Sequence, residues 1–169
     1  MRTFLAALAL TFAVTTGPVA AQQSDPVVEY SDADVEMTAA RDAARASYPQ
    51  FMAAFRASSR AEQANNFLVK VGLDRSVGGL EHIWVDSLRL EGDTLVGALA
   101  NEPQYLPGLH RGSPVTIDTA RISDWAWVGP DGMYGNFTTR VMLDDIDAAT
   151  AAQLRQVLTA NPVPEAWSR

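Results

Sequence analysis

The stretch FLVKVGL, residues 67–73, decides the fold class because its side chains alternate between two sides of an extended chain. The positions that would face one side are Phe67, Val69, Val71 and Leu73. Before this stretch the apolar residues follow a helical period, and after it short β-rich runs alternate with turns. The stretch therefore marks the change from a helical N-terminal part to a sheet.

A helix is predicted upstream of this strand. Ser31 followed by Asp34 forms an imperfect capping box, because the usual partner is Glu or Gln. The apolar positions that follow in steps of three and four are Met37, Ala40, Ala44, Tyr48, Phe51 and Phe55. Pro49 lacks an amide hydrogen, so we expect the helix to be kinked or broken there, with a second helix after it.

Several antiparallel strands are predicted downstream. Residues 81–90 and 94–100 indicate a hairpin, because the connection between them is short and rich in turn formers. Further β-rich or alternating runs occupy residues 115–118, 122–128 and 134–143, and helical spacing returns from Ile146 to Leu158. This order predicts an α+β domain: an N-terminal helix, a twisted antiparallel sheet of five or six strands, and a C-terminal helix.

The N-terminus has the pattern of a secretory signal peptide. Residues 1–21 contain one basic residue, an apolar run over 4–14, and Val19-Ala20-Ala21 before the expected cleavage site. A membrane span would need about 18 apolar residues or more, so this run is too short. We expect export to the periplasm or the medium, without membrane insertion after signal removal. The remainder divides into a flexible leader (22–30), a single domain (31–161) and a C-terminal tail (162–169).

Charge and cysteine content narrow the function classes. The chain carries a net charge of −7 with 13 basic and 20 acidic residues, and removing the signal takes away only Arg2. This balance disfavours nucleic acid, because phosphate binding requires clustered Lys and Arg. There is no cysteine, so packing without disulfides must stabilise the domain. The sequence indicates no cofactor, and the expected partner is an unknown protein or small ligand of the envelope.

Unusual polar and aromatic residues gather at the predicted strand ends, where binding sites are often built. The candidates for ligand or partner binding are Glu81, His82, Trp84, Asn101, Glu102, Asp124 and Trp125. Along an extended strand Glu81 and His82 point to opposite faces, as do Asp124 and Trp125. The patches form one site only if the fold brings them together.

Structural and functional interpretations compete at two acidic residues. Asp124 lies beside apolar strand positions, so its carboxylate must be hydrogen-bonded, and a structural tie to a neighbouring turn is favoured over a functional role. Asn101 and Pro103 suffice to end the strand and turn the chain. The turn does not require the glutamate between them, which makes Glu102 a functional candidate.

Catalytic and metal signatures are weak. The four weak candidates for metal ligation are His82, Glu102, His110 and Asp124, and they follow no ligand spacing. The chain lacks the G-x-S-x-G motif, and a carboxylate pair for glycoside hydrolysis would need a suitable separation. A binding or accessory protein is the leading hypothesis. The alternatives are a carboxylate- or metal-dependent hydrolase of envelope sugar or peptide, and an inhibitor or immunity-type protein that occludes a basic partner.

A series of motifs resembles a known family. FLVKV, GGLEHIWV, GALANEP, GSPVTI, ISDW and GNFTTR occur in the order found in the YegJ-like proteins, a bacterial domain family of unknown function. The resemblance covers residues 35–143, and the matching positions are Lys70, Glu81, His82, Trp84, Asn101, Glu102, Pro103, Asp124, Trp125, Gly135 and Thr138. Gly112-Ser113 stands where the family often has Gly-Asp. The resemblance implies no established reaction, and secreted members imply a role in the envelope.

Overall fold

The computed structural model describes residues 34–168. The predicted signal peptide, the leader and the helix start at Ser31 lie outside the described residues. The first half contains α1 (Val35–Ala57), α2 (Arg60–Asn66), β1 (Phe67–Asp74), β2 (Leu80–Glu91) and β3 (Thr94–Leu99). The second half contains β4 (Pro114–Thr116), β5 (Ile122–Gly129), β6 (Gly132–Gly135), α3 (Phe137–Met142) and α4 (Ala148–Val157). Short 3-10 turns occupy Thr119–Arg121 and Glu165–Ser168.

The strands form one antiparallel sheet in the order β4-β3-β2-β1-β5-β6. β1 lies at its centre, between β2 and β5, and Val69 pairs with Val85 on one side and with Trp125 on the other. The α+β class and the antiparallel sheet are therefore confirmed. No helix among residues 34–168 is long and apolar enough to cross a membrane.

The core lies between α1 and one face of this sheet. Phe51 and Phe55 of α1 are fully buried, and the Phe51 ring lies 5.2 Å from that of Trp125. Phe55 meets Phe67 edge to face at 5.4 Å. Burying each such side chain contributes about 1.5–3 kcal/mol, which explains why every second residue of β1 is apolar.

Pro49 does not break the first helix. α1 continues from Val35 to Ala57 with Pro49 inside it, and the second helix begins only at Arg60. The helical residues on both sides of Pro49, among them Ala44 and Phe51, belong to the same core cluster. Their packing outweighs the cost of about 3 kcal/mol that a proline imposes on a helix interior.

The predicted strand over residues 134–143 is wrong beyond its first residues. β6 ends at Gly135, Asn136 adopts a left-handed conformation (φ 56°), and α3 follows. A Cβ on Gly135 would clash with the carbonyl oxygen of Trp125, and the residue has a positive φ of 70°, so only glycine fits at this turn. The helix starts here because a distant side chain, Asp124, accepts hydrogen bonds from its first amides.

Candidate functional site

The Asp124 carboxylate holds the start of α3 against β5. Its side chain is fully buried, and Oδ1 accepts hydrogen bonds from the amides of Trp125 (2.8 Å) and Phe137 (3.1 Å). Oδ2 accepts from the amide (2.8 Å) and the hydroxyl (2.6 Å) of Thr138. Burial raises the pKa of Asp124, against the opposing effect of these hydrogen bonds. This geometry matches the structural tie that the sequence favoured.

Lys70 connects this tie to the centre of the sheet. On β1 it pairs with Trp84 on one neighbouring strand and with Asp124 on the other. Its Nζ donates to the Thr138 hydroxyl at 3.3 Å and lies 5.5 Å from the centre of the Trp84 ring. Burial lowers the pKa of Lys70, while the charge of Asp124 acts in the opposite direction. Thr138 is only 2% exposed, and its hydroxyl accepts from Lys70 and donates to Asp124.

His82 lies next to the paired positions Trp84, Lys70 and Asp124 on the three neighbouring strands. Its Nδ1 is 2.9 Å from the Ser123 hydroxyl, which donates its one hydrogen to the carbonyl oxygen of Lys70. His82 and Trp84 occupy alternate positions of β2, so both lie on the same side of the sheet.

A second group of candidates shapes the long loop between β3 and β4. Glu81, at the start of β2, accepts hydrogen bonds from the amides of Gln104 at Oε1 (2.7 Å) and Tyr105 at Oε2 (2.8 Å). Glu102 accepts from the amide of Arg111 at 2.9 Å. Both carboxylates thus fix the backbone of a loop that has little regular structure of its own. The sequence indicated that the local turn does not need Glu102. That interpretation was incomplete, because the Glu102 side chain joins the two limbs of this loop through its hydrogen bond from Arg111.

These carboxylates support an exposed surface at one end of the sheet. The guanidinium of Arg75 lies 3.9 Å from the centre of the Tyr105 ring, and the Tyr105 side chain is 37% exposed. The turn from β1 to β2 and the loop after β3 meet here, where the Ser76 amide donates to the Tyr105 carbonyl oxygen. We call this region the sheet-end surface, and it consists of Arg75, Val77, Leu80 and Tyr105.

The sheet-end surface exposes apolar side chains. Of the seven large hydrophobic side chains that are exposed among residues 34–168, three belong to it: Val77 (74%), Leu80 (42%) and Tyr105. Large exposed apolar groups beside polar ones are typical of protein contact sites.

The structure divides the predicted site residues into separate groups. His82, Trp84 and Asp124 lie around Lys70, while Glu81 and Glu102 lie at the loop, which Asn101 begins. Trp125 faces the core, where its indole Nε1 donates to Ala44 and Ser47.

The weak metal candidates do not come together. His110 is exposed in the loop and its Nδ1 lies 3.2 Å from the Ser113 hydroxyl. Among the described residues no group of three or more His, Asp and Glu side chains is arranged to hold a metal ion.

Sequence reasoning missed Arg75 and Ser123, and it assigned Lys70 no role beyond the family pattern. Lys70 carried a signal, since it is the chain's single lysine and lies in an otherwise apolar strand. Arg75 and Ser123 carried none, because their importance depends on contacts with residues distant in the sequence.

Fold and site together define a small α+β domain with a structured surface loop and no recognised catalytic constellation. The profile of a family described as "Uncharacterized protein conserved in bacteria (DUF2314)" matches residues 34–158, and the chain belongs to this family. The comparison confirms the YegJ-like resemblance: the chain is 27% identical over 97 residues to "Uncharacterized protein YegJ" of Escherichia coli K12, covering 57% of this chain and 63% of that protein.

A second relative is a much larger protein. Over 62 residues the chain is 37% identical to the "Putative ankyrin repeat protein NMB1133/NMB1171" of Neisseria meningitidis serogroup B, which covers 37% of this chain and 24% of that protein. The chain thus spans less than two thirds of the length of either relative. No solved structure matches it significantly.

Proposed function

We propose that this chain is a binding or accessory protein of the bacterial cell envelope that contacts a protein partner through the sheet-end surface. The observation that carries the proposal is the fixed position of an exposed aromatic residue. Tyr105 is held by the Glu81 carboxylate at its backbone and by Arg75 against its ring. Export is supported by the signal-like residues 1–21.

Tyrosine and arginine are frequent anchors of protein interfaces. An anchor that is already ordered before binding avoids a loss of conformational entropy, which costs about 0.5–1.5 kcal/mol for each immobilised side chain. The exposed Val77 and Leu80 add apolar area beside the anchor. Together these features favour a preformed contact surface.

The same contacts make hydrolysis the less favoured alternative. A hydrolytic carboxylate pair needs oxygens that reach the substrate, whereas Asp124 is buried under four hydrogen bonds. Glu81 and Glu102 bind backbone amides of the loop. The arrangement therefore supports a positioning role for these acids.

The proposal is tested by recovering partners from an envelope extract with the mature protein as bait. One variant removes apolar area from the sheet-end surface, Val77→Ser with Leu80→Ser. Its matched control changes two exposed valines elsewhere, Val128→Ser with Val157→Ser. A third bait carries Tyr105→Ala. Circular dichroism first establishes that all baits are folded.

The expected result is a partner that the unaltered protein and the Val128, Val157 control retain, and that the other two variants lose. The affinity of the recovered protein is then measured with purified components. Equal recovery by all four baits would overturn the assignment of the surface. Mass spectrometry of the periplasmic protein tests export separately, with an N-terminus after Ala21 as the expected product.

A further inference from the structure

A groove lies on a different part of the molecule, between the β5–β6 hairpin and the C-terminal segment. Its volume is about 550 Å³, which falls within the range of small-ligand sites. The residues that argue for its chemistry are Trp127, Asp131, Tyr134, Glu165 and Trp167. The groove includes part of the segment from Pro162 onward, which the sequence assigned to a tail.

Aromatic rings form one wall. Trp127 is stacked on Tyr134, with 5.3 Å between ring centres, and its ring is tilted against that of Trp167 at 5.0 Å. All three side chains are partly exposed. Such a row offers ring surface to a flat or cationic group, and arginine is the side chain that combines both properties.

Carboxylates give the groove its charge. Its lining contains Asp131 and Glu165, both exposed, and no Lys, Arg or His. Burial raises the pKa of the Tyr134 phenol, and so do its hydrogen bond to Asp131 and the charges of Asp131 and Glu165. The negative charges of Asp131 and Glu165 therefore both act on the Tyr134 phenol. Arg140, which does not line the groove, donates to the carbonyl oxygens of Gly135 and Thr159.

Hydrogen bonds join the two walls of the groove, the β5–β6 hairpin and the C-terminal segment. The Thr159 amide donates to the carbonyl oxygen of Met133 at 3.1 Å, and the Thr159 hydroxyl donates to the carbonyl oxygen of Asn161 at 2.8 Å. The Gly135 amide donates to the carbonyl oxygen of Pro162 at 2.6 Å. The groove is thus formed before any ligand arrives, which lowers the cost of binding.

We propose that this groove binds an arginine-bearing peptide segment, with a guanidinium between the Trp127–Tyr134–Trp167 rings and the carboxylates of Asp131 and Glu165. The charge complementarity and the aromatic stack select the occupant: a planar cation satisfies both, whereas a neutral or acidic segment satisfies at most one. The site lies apart from the sheet-end surface and does not depend on the function proposed there.

The test uses the peptide acetyl-Gly-Arg-Arg-Gly-amide and its isosteric uncharged form, in which citrulline replaces each arginine. Binding is followed by NMR of ¹⁵N-labelled protein through the four indole N–H signals of Trp84, Trp125, Trp127 and Trp167. The expected result is saturable shifts of Trp127 and Trp167 with the arginine peptide alone. Trp84 is the internal reference, because it lies beside Lys70 and does not line the groove, whereas the Trp125 ring lies 5.7 Å from that of Trp167.

Two charge variants separate the groove from general attraction to an acidic protein. Asp131→Asn with Glu165→Gln removes two charges inside the groove, and Glu36→Gln with Asp93→Asn removes two exposed charges elsewhere. The first pair is expected to weaken binding about tenfold or more, and the second less than about twofold. The proposal is overturned by equal binding of both peptides, by equal effects of the two variant pairs, or by no binding to the unaltered protein.

Discussion

Asp124 and Glu81 use their carboxylates in the same way but in opposite surroundings. Each accepts hydrogen bonds from two consecutive backbone amides at a chain reversal: Asp124 from Phe137 and Thr138, Glu81 from Gln104 and Tyr105. Asp124 is fully buried, whereas the hydrogen bonds of Glu81 lie at the surface. The two residues share a hydrogen-bond pattern, so the difference in their burial determines how much each contributes to stability.

The difference follows from the cost of exposing or burying a polar group. Inside the protein, every donor that loses its acceptor remains without water, at a cost of about 1–3 kcal/mol. At the surface, water replaces the lost acceptor, so the backbone loosens at little cost in stability. We infer that Asp124 stabilises the fold, while Glu81 positions the backbone of the loop at Gln104 and Tyr105.

The largest expected effect is that of Asp124→Ala. This change leaves the Thr138 hydroxyl and three backbone amides without their acceptor in a buried place, and it removes the negative charge that acts on Lys70. We expect the free energy of unfolding to fall by about 3–5 kcal/mol, measured by urea denaturation. A loss below about 1 kcal/mol would contradict the difference between Asp124 and Glu81, since Asp124 would then behave like a surface carboxylate.

The pH dependence of stability gives a second test of the buried carboxylate. Burial raises the pKa of Asp124 above its unfolded value of about 4, so the folded state holds a proton that the unfolded state has lost. The contribution of Asp124 to stability is fully present below about pH 4 and is lost as the pH rises through the folded pKa. The Asp124→Asn variant has no ionisable side chain at this position, so it lacks this contribution to the pH dependence of stability.

We therefore expect the unfolding free energy of the unaltered protein, minus that of Asp124→Asn, to decrease as the pH rises above about 4. Urea denaturation of both proteins in the same buffers measures this difference. An increase with pH would mean that the hydrogen bonds, and not burial, dominate the pKa.

Glu81→Gln has a smaller expected effect on stability. It keeps one carbonyl oxygen and removes the charge, so we expect a loss of about 1 kcal/mol or less in urea denaturation. Hydrogen exchange at the amides of Gln104 and Tyr105 should accelerate, because they lose their charged acceptor. Glu91→Gln, which removes an exposed carboxylate bound to Arg89, is the matched control and should leave both amides unchanged.

Glu102→Gln has the smallest expected effect. The exposed Glu102 accepts from one amide, that of Arg111, so we expect about 0.5 kcal/mol or less in unfolding free energy. Exchange at the Arg111 amide should increase, with little change at Tyr105. Partner binding reduced as strongly as by Tyr105→Ala would instead identify Glu102 as a contact residue.

Local patterns predicted much of the fold. The alternation in residues 67–73 and the short turn at Gly92 depend on neighbours in the sequence, and β1, β2 and β3 lie where they indicated. Asp124 was also interpretable from sequence, because a carboxylate between apolar strand positions needs internal partners.

The parts of the fold and of the sites that the sequence did not predict depend on contacts between residues distant in the chain. Residues 137–142 alternate like a strand but form a helix, since Asp124 binds its first amides from another element. α1 continues through Pro49 because the sheet packs against both halves of it. The aromatic groove was not predictable from Asp131 and Glu165, because they are far apart in the chain and meet only when the C-terminal segment folds onto the β5–β6 hairpin.

The most direct test of the central claim is a double-mutant cycle on the affinity of the recovered partner. Isothermal titration is performed with the unaltered protein, Glu81→Gln, Tyr105→Ala and the variant carrying both changes. If Glu81 acts by positioning Tyr105, then Glu81→Gln weakens binding to the unaltered protein and has no further effect once Tyr105 is alanine. Additive losses would contradict the account, because Glu81 and Tyr105 would then contribute to binding independently.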